Sequence, residues 1–193
     1  MPRRKTPFSP ANFYHVYNRG NNRQKVFLEA ENYRFFLRRL RFYFNSNGID
    51  LIAYCLMPNH YHLLIRPERK IDFSNVMRSF SVSYVKSINK VYHRVGHLFQ
   101  GNFEAREVDA HEYLAHLIRY VHLNPVRARL VRKAEDWKYS DYEEWNSDSD
   151  CIDEARMEVR FQLFETADGY RRFCQDFLED VEMNAKIEKI LFG

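Results

Sequence analysis

Met57-Pro58-Asn59-His60-Tyr61-His62-Leu63-Leu64-Ile65 is the stretch on which the fold turns. Leu51 to Met57 reads as one buried strand and His60 to Arg66 as its partner, with Pro58-Asn59 as a tight connection. Side chains alternate along a strand. His60, His62 and Leu64 therefore share one face, while Tyr61, Leu63 and Ile65 point into a core. Two imidazoles two residues apart on one face can share a divalent metal ion. The same spacing also suits a hydrogen-bonded histidine pair with no metal, so the motif alone leaves both open.

At 193 residues, with 45% hydrophobic and 29% charged positions, the chain fits a single globular domain with a small appendage. No apolar run approaches the ~18 residues of a membrane helix, so no membrane partner is expected. The basic start Met1-Pro2-Arg3-Arg4-Lys5 has no apolar stretch behind it and is not a secretory signal. Cys55, Cys151 and Cys174 are odd in number and far apart. They make neither a zinc spacing nor a disulfide framework, which suits a reducing cytoplasm.

The net charge of +4 conceals an asymmetry. Residues 1–133 hold 23 Lys/Arg against 9 Asp/Glu, and residues 134–193 hold 7 against 17. A basic body rich in aromatics suits nucleic acid, with cations on phosphates and rings on bases. A solvated basic face is the alternative. The acidic end could solvate the chain or cover part of the basic surface.

Upstream of the histidines, Asn12 to Asn18 reads as a first strand, and His15 as a sheet histidine rather than a ligand. Arg19-Gly20-Asn21-Asn22-Arg23 is a polar loop that could hold phosphates or be an exposed turn. Glu29 to about Asn45 has helical spacing, with Tyr33, Phe36, Leu37, Leu40 and Phe44 inward and Asn47-Gly48 as its end. Downstream, Ser74 is expected to cap a helix to about Tyr92, with Val76, Phe80, Tyr84, Ile88 and Val91 inward. Gly96 to Val108 reads as a strand interrupted by Gly101. Asp109 to Glu112 fits a capping box that opens a third helix, which Pro125 should stop near Asn124. Tyr120 and Asn124, four apart, share a face there, with His116 one turn earlier. A phenol and an amide so held could meet the two histidines. Tyr120 could equally be one more buried aromatic.

Four pieces occur in order: Tyr14-His15-Val16-Tyr17-Asn18-Arg19-Gly20, Met57 to Leu64, Gly96-His97-Leu98-Phe99-Gln100, and Tyr120-Val121-His122-Leu123-Asn124-Pro125-Val126-Arg127-Ala128. Together they resemble the IS200-like single-tyrosine (Y1) transposases of the HUH superfamily, most closely the REP-associated tyrosine transposase branch. The resemblance spans roughly residues 12–142. Phe99 stands where that branch usually has Trp, and Tyr61 replaces an aliphatic residue within the histidine motif.

The resemblance implies an α+β, ferredoxin-like sandwich whose antiparallel sheet presents the histidines, with helices on one side. The order read from the residues (strand, helix, hairpin, helix, strand, helix) is compatible with that. The expected organisation is a catalytic unit over residues 1–145, followed outside the matched region by a segment over 146–193 whose residues read as an acidic linker and a helical C-terminal extension. In the extension, one short helix is expected around Val159, Leu163 and Phe164, another around Tyr170, Phe173, Phe177 and Leu178, and a third around Ile187, Ile190 and Leu191. This segment could pack on the core, limit DNA entry or mediate association.

The resemblance further implies that His60, His62 and Asn124 ligate Mg²⁺ or Mn²⁺ and that Tyr120 is the nucleophile. The expected reaction is cleavage and transfer of hairpin-bearing single-stranded DNA through a 5′-phosphotyrosine. Arg19, Arg23, Arg127 and Arg129 are the candidate DNA contacts. The chain is expected to act as a monomer or homodimer, with monomer favoured. Two other readings stand beside this one: a domesticated hairpin-binding protein without turnover, and a metal hydrolase that uses water.

Overall fold

The computed structural model describes residues 8–108, 111–147 and 153–176. Its strands are β1 (Phe13–Arg19), β2 (Ile49–Met57), β3 (His60–Pro67) and β4 (Glu104–Val108), all paired antiparallel in the order β2-β3-β1-β4. Helix α1 (Ala30–Asn45) joins β1 to β2, and α2 (Phe73–Val91) joins β3 to β4. This is the βαββαβ order and strand arrangement of a ferredoxin-like fold. Beyond β4 come α3 (His111–Arg127), a one-turn α4 (Tyr142–Trp145), α5 (Glu154–Phe164) and α6 (Ala167–Gln175). No helix among the described residues is long and apolar enough to cross a membrane.

Alternation along the strands splits the interior into two cores. Tyr61, Leu63 and Ile65 of β3, with Tyr14 and Val16 of β1, face α1 and α2 and pack on Phe36, Leu40, Phe80 and Tyr84. Each such buried side chain contributes about 1.5–3 kcal/mol. Leu64 points the other way, into a core completed by Leu117, Ile118 and Val121 of α3, Trp145, Val159 of α5 and Tyr170 of α6. The register of β2 slips between Leu51 and Ala53, which turns Ile52 and Ala53 together into this second core. Helices thus lie on both faces of the sheet, and α3 crosses the face that carries the histidines.

Several local expectations are corrected. Asp72, not Ser74, caps α2, its carboxylate accepting from the Asn75 amide. Val91, expected inward, is 64% exposed, because the chain leaves the helix at Tyr92 before another turn can cover it. The strand expected over Gly96–Val108 is confined to Glu104–Val108, the residues that pair with β1. Leu98 and Phe99 are buried without belonging to a strand, and Phe99 makes a single bridge to Gly20. Pro125 does not stop α3. Helical geometry continues to Arg127, and the turn closes with the Arg129 amide donating to the Val126 carbonyl and the Leu130 amide to that of Pro125. Arg129 sits at φ 56° to make that reversal. The Asp109 cap, and the third C-terminal helix expected near Ile187, fall outside the described residues, as do Phe177 and Leu178.

Candidate active site

Three cross-strand rows build the site on the sheet face under α3. Met57, His60 and Arg19 form one; Cys55, His62, Tyr17 and Glu104 the next; Ala53, Leu64, His15 and Arg106 the third. Pro58 and Asn59 fix the end of the hairpin. Their carbonyls accept from the Val26 and Gly20 amides, so the loop after β1 wraps the turn that carries His60. Gly20 is required there, because a Cβ would lie 2.1 Å from the Gln24 carbonyl oxygen. Asn22 and Arg23 both adopt positive φ in this loop, a strained conformation costing roughly 1 kcal/mol or more per residue.

His60 and His62 point the same way, their rings 5.0 Å apart at 88°. The His60 Nδ1–H donates to Asn59 Oδ1 at 2.7 Å, which leaves Nε2 as the acceptor nitrogen. His62 is 1% exposed, and its Nδ1 lies 2.9 Å from Nε2 of His15. From α3, Asn124 brings its carboxamide nitrogen to 3.5 Å from His62 Nε2 and also contacts His60. Tyr120, one turn earlier, meets the His62 ring edge to face at 5.9 Å. The Arg127 guanidinium lies 4.8 Å over the opposite partner, the Tyr120 ring itself.

Burial pushes the His60 imidazole down to about 4; the Asn124 contact works against this and the Arg19 charge adds to it. Burial holds His62 well below the ordinary histidine value, reinforced by His60 and His15. Neutral imidazoles are the form that ligates metal. Two of them with a carboxamide, whose oxygen and nitrogen exchange by a flip, make a donor set that fits a divalent cation. Among the described residues, no group of three His, Cys, Asp or Glu side chains supplies another such set.

Beside the histidines opens a cavity of about 740 Å³. Arg19 and Arg23 line it, and the Arg19 guanidinium donates to Gln100 Oε1 at 3.0 Å. Of the four arginines singled out, these two reach the cavity, Arg127 reaches Tyr120, and Arg129 lies exposed beyond the end of α3. The cavity also takes in Tyr17, Asn59, Gln100, Asn102, Glu104 and Arg106, to none of which the sequence assigns a role in the site, although Tyr17, Asn59 and Gln100 fall within the motif pieces. Alternation along β1 puts Tyr17 on the face of His15 and Arg19, so that residue was within reach of the pattern. Gln100 closes the third motif piece, whereas Asn102 lies in a loop with no periodicity to betray it.

A ferredoxin-like sheet that offers an imidazole pair toward a tyrosine-bearing helix is the fold of the Y1 transposases. The structure of a REP-associated tyrosine transposase bound to a REP hairpin superposes with a TM-score of 0.63 at 16% identity, covering 75% of this chain and 84% of that one. The family model described as "Transposase IS200 like" matches residues 11–124, and the chain belongs to that family. A REP-associated tyrosine transposase of Haemophilus influenzae is 23% identical over 103 aligned residues, 48% of this chain and 58% of that protein. The chain thus spans less than two thirds of that relative's length.

Proposed function

We propose that the protein cleaves single-stranded DNA beside a hairpin and rejoins strands through a 5′-phosphotyrosine on Tyr120. In this reading His60, His62 and Asn124 hold Mg²⁺ or Mn²⁺. The observation that carries it is the meeting of helix and sheet at His62, which has Tyr120 against its ring and Asn124 at its Nε2. Family membership, and a structural neighbour bound to a REP hairpin, support the substrate class.

A bound cation would supply charge neutralisation at the non-bridging oxygens of the scissile phosphate. Tyr120 loses its phenolic proton, and its oxygen forms a bond to phosphorus as the P–O3′ bond breaks. The departing 3′-oxygen takes up a proton, leaving a free 3′-hydroxyl and the 5′-phosphate on Tyr120. One ester has replaced another, so an incoming 3′-hydroxyl can reverse the step, release Tyr120 and join two strands. Arg19 and Arg23 offer cations to the phosphates in the cavity, and Tyr17 offers a ring. Every group in this scheme lies within residues 1–145.

Covalent trapping tests the reading. Native protein and Tyr120→Phe are incubated with labelled hairpin-bearing single strands in Mn²⁺ or Mg²⁺ and run on a denaturing gel. A metal-dependent adduct confined to the native protein is the expected result. Cleavage that survives in Tyr120→Phe without an adduct would identify a water-using hydrolase. Binding with neither cleavage nor adduct would identify a hairpin-binding module. Light scattering with and without DNA is expected to report a monomer.

A further inference from the structure

His15 is fully buried on the central strand, beneath the candidate metal ligands. Its ring lies nearly parallel to that of His62 (interplanar angle 11°), with Nε2 2.9 Å from His62 Nδ1. Tyr17 stacks on it at 5.0 Å. The other ring nitrogen, Nδ1, is buried with no hydrogen-bond partner among the described residues. Leaving a buried polar atom unpaired costs about 1–3 kcal/mol. A leucine or valine at this position would avoid that cost and keep the strand. Among the described residues, the one hydrogen bond that the His15 side chain makes runs to the back of His62.

A metal-binding imidazole presents one nitrogen to the ion, and its tautomer is set by what the other nitrogen meets. For His60, Asn59 supplies that partner from the hairpin turn. We propose that His15 does the same for His62: a positioning residue that accepts the Nδ1–H of His62 and so turns an unprotonated Nε2 toward Asn124 and the cation. The two ligands would then be preset from two different places, one by a carboxamide in the β2–β3 turn and one by an imidazole on β1. The inference rests on the metal reading above, and its own content is the direction of one hydrogen bond.

Two measurements decide it. Nitrogen-15 spectroscopy of the imidazoles in metal-free native protein reads the His62 tautomer directly. Protonation at Nδ1 is expected, and protonation at Nε2 would overturn the proposal whatever the metal does. Mn²⁺ affinity, followed by electron paramagnetic resonance, is compared among native protein, His15→Gln and His15→Phe, with circular dichroism to establish folding. A glutamine can place an oxygen near the Nε2 position, so His15→Gln should bind within about threefold of native. His15→Phe, which fills the space without an acceptor, should lose affinity by about 10–100-fold. A folded His15→Phe with native affinity would overturn the proposal. If His15→Phe does not fold, the native tautomer decides alone. Native protein that takes up no Mn²⁺ would instead refute the metal site itself, and the nitrogen-15 result would still stand or fall separately.

Discussion

Tyr120 is only 4% exposed, held between the edge contact with His62 and the guanidinium of Arg127. As the proposed nucleophile, Tyr120 would gain from being fixed before substrate arrives, and a cation over its ring is one way to fix it. Such a contact is worth about 0.5–2 kcal/mol. Arg127→Ala should therefore slow adduct formation by roughly 2–30-fold while Mn²⁺ affinity stays at the native level. Single-turnover trapping alongside a metal titration checks both halves. An equal loss of metal affinity would mean that Arg127 supports the imidazoles and not the phenol.

Helix α3 places these groups. Its passage through Pro125 keeps Asn124 in helical geometry, so the Ala128 amide still donates to the Asn124 carbonyl at 2.9 Å. In the sequence the proline signals a stop, because it disfavours helix in the residue before it. Asn124 is instead held by burial against the histidines, a tertiary cause that no local pattern carries. The β2–β3 hairpin was legible for the opposite reason: strict alternation in His60–Ile65 states which side chain faces which core. Arg129 closes α3 in a left-handed conformation where glycine carries no steric cost. Arg129→Gly is thus expected to raise stability by about 0.5–1 kcal/mol, measured by urea denaturation. A fall in single-strand affinity in the same variant would mark Arg129 as a DNA contact, and an unchanged affinity would remove it from the candidates.

At the scale of the whole molecule, the second core is organised around Asp141, which is fully buried. Its Oδ1 accepts from the Tyr54 amide and from His122 Nε2, and Arg156 of α5 lies 3.5 Å from Oδ2. The other His122 nitrogen meets the Tyr170 hydroxyl of α6 at 2.6 Å. Burial raises the Asp141 pKa, but Arg156 and His122 outweigh it and hold the carboxyl below its ordinary value. A lowered folded-state value means that Asp141 contributes stability above the unfolded carboxylate range, near 3.9. That contribution is lost as pH falls through the folded value, so acid unfolding of native protein should steepen below about pH 4. Asp141→Asn removes one of the carboxylates around the buried Arg156, which keeps Glu144 and Asp153, and should cost about 1.5–3 kcal/mol at neutral pH by denaturant titration and flatten the acid limb.

The same network has a kinetic side. His122 sits on α3 between Tyr120 and Asn124 and is bonded to α6, so α6 cannot lift away without opening a buried polar contact on the helix that carries the proposed chemistry. The two helices should then behave as one cooperative opening unit. In amide hydrogen exchange, their slowest protons are expected to share a single opening free energy, and Tyr170→Phe should lower it for both together. Independent exchange of α6 would show that the C-terminal helices breathe without disturbing the tyrosine.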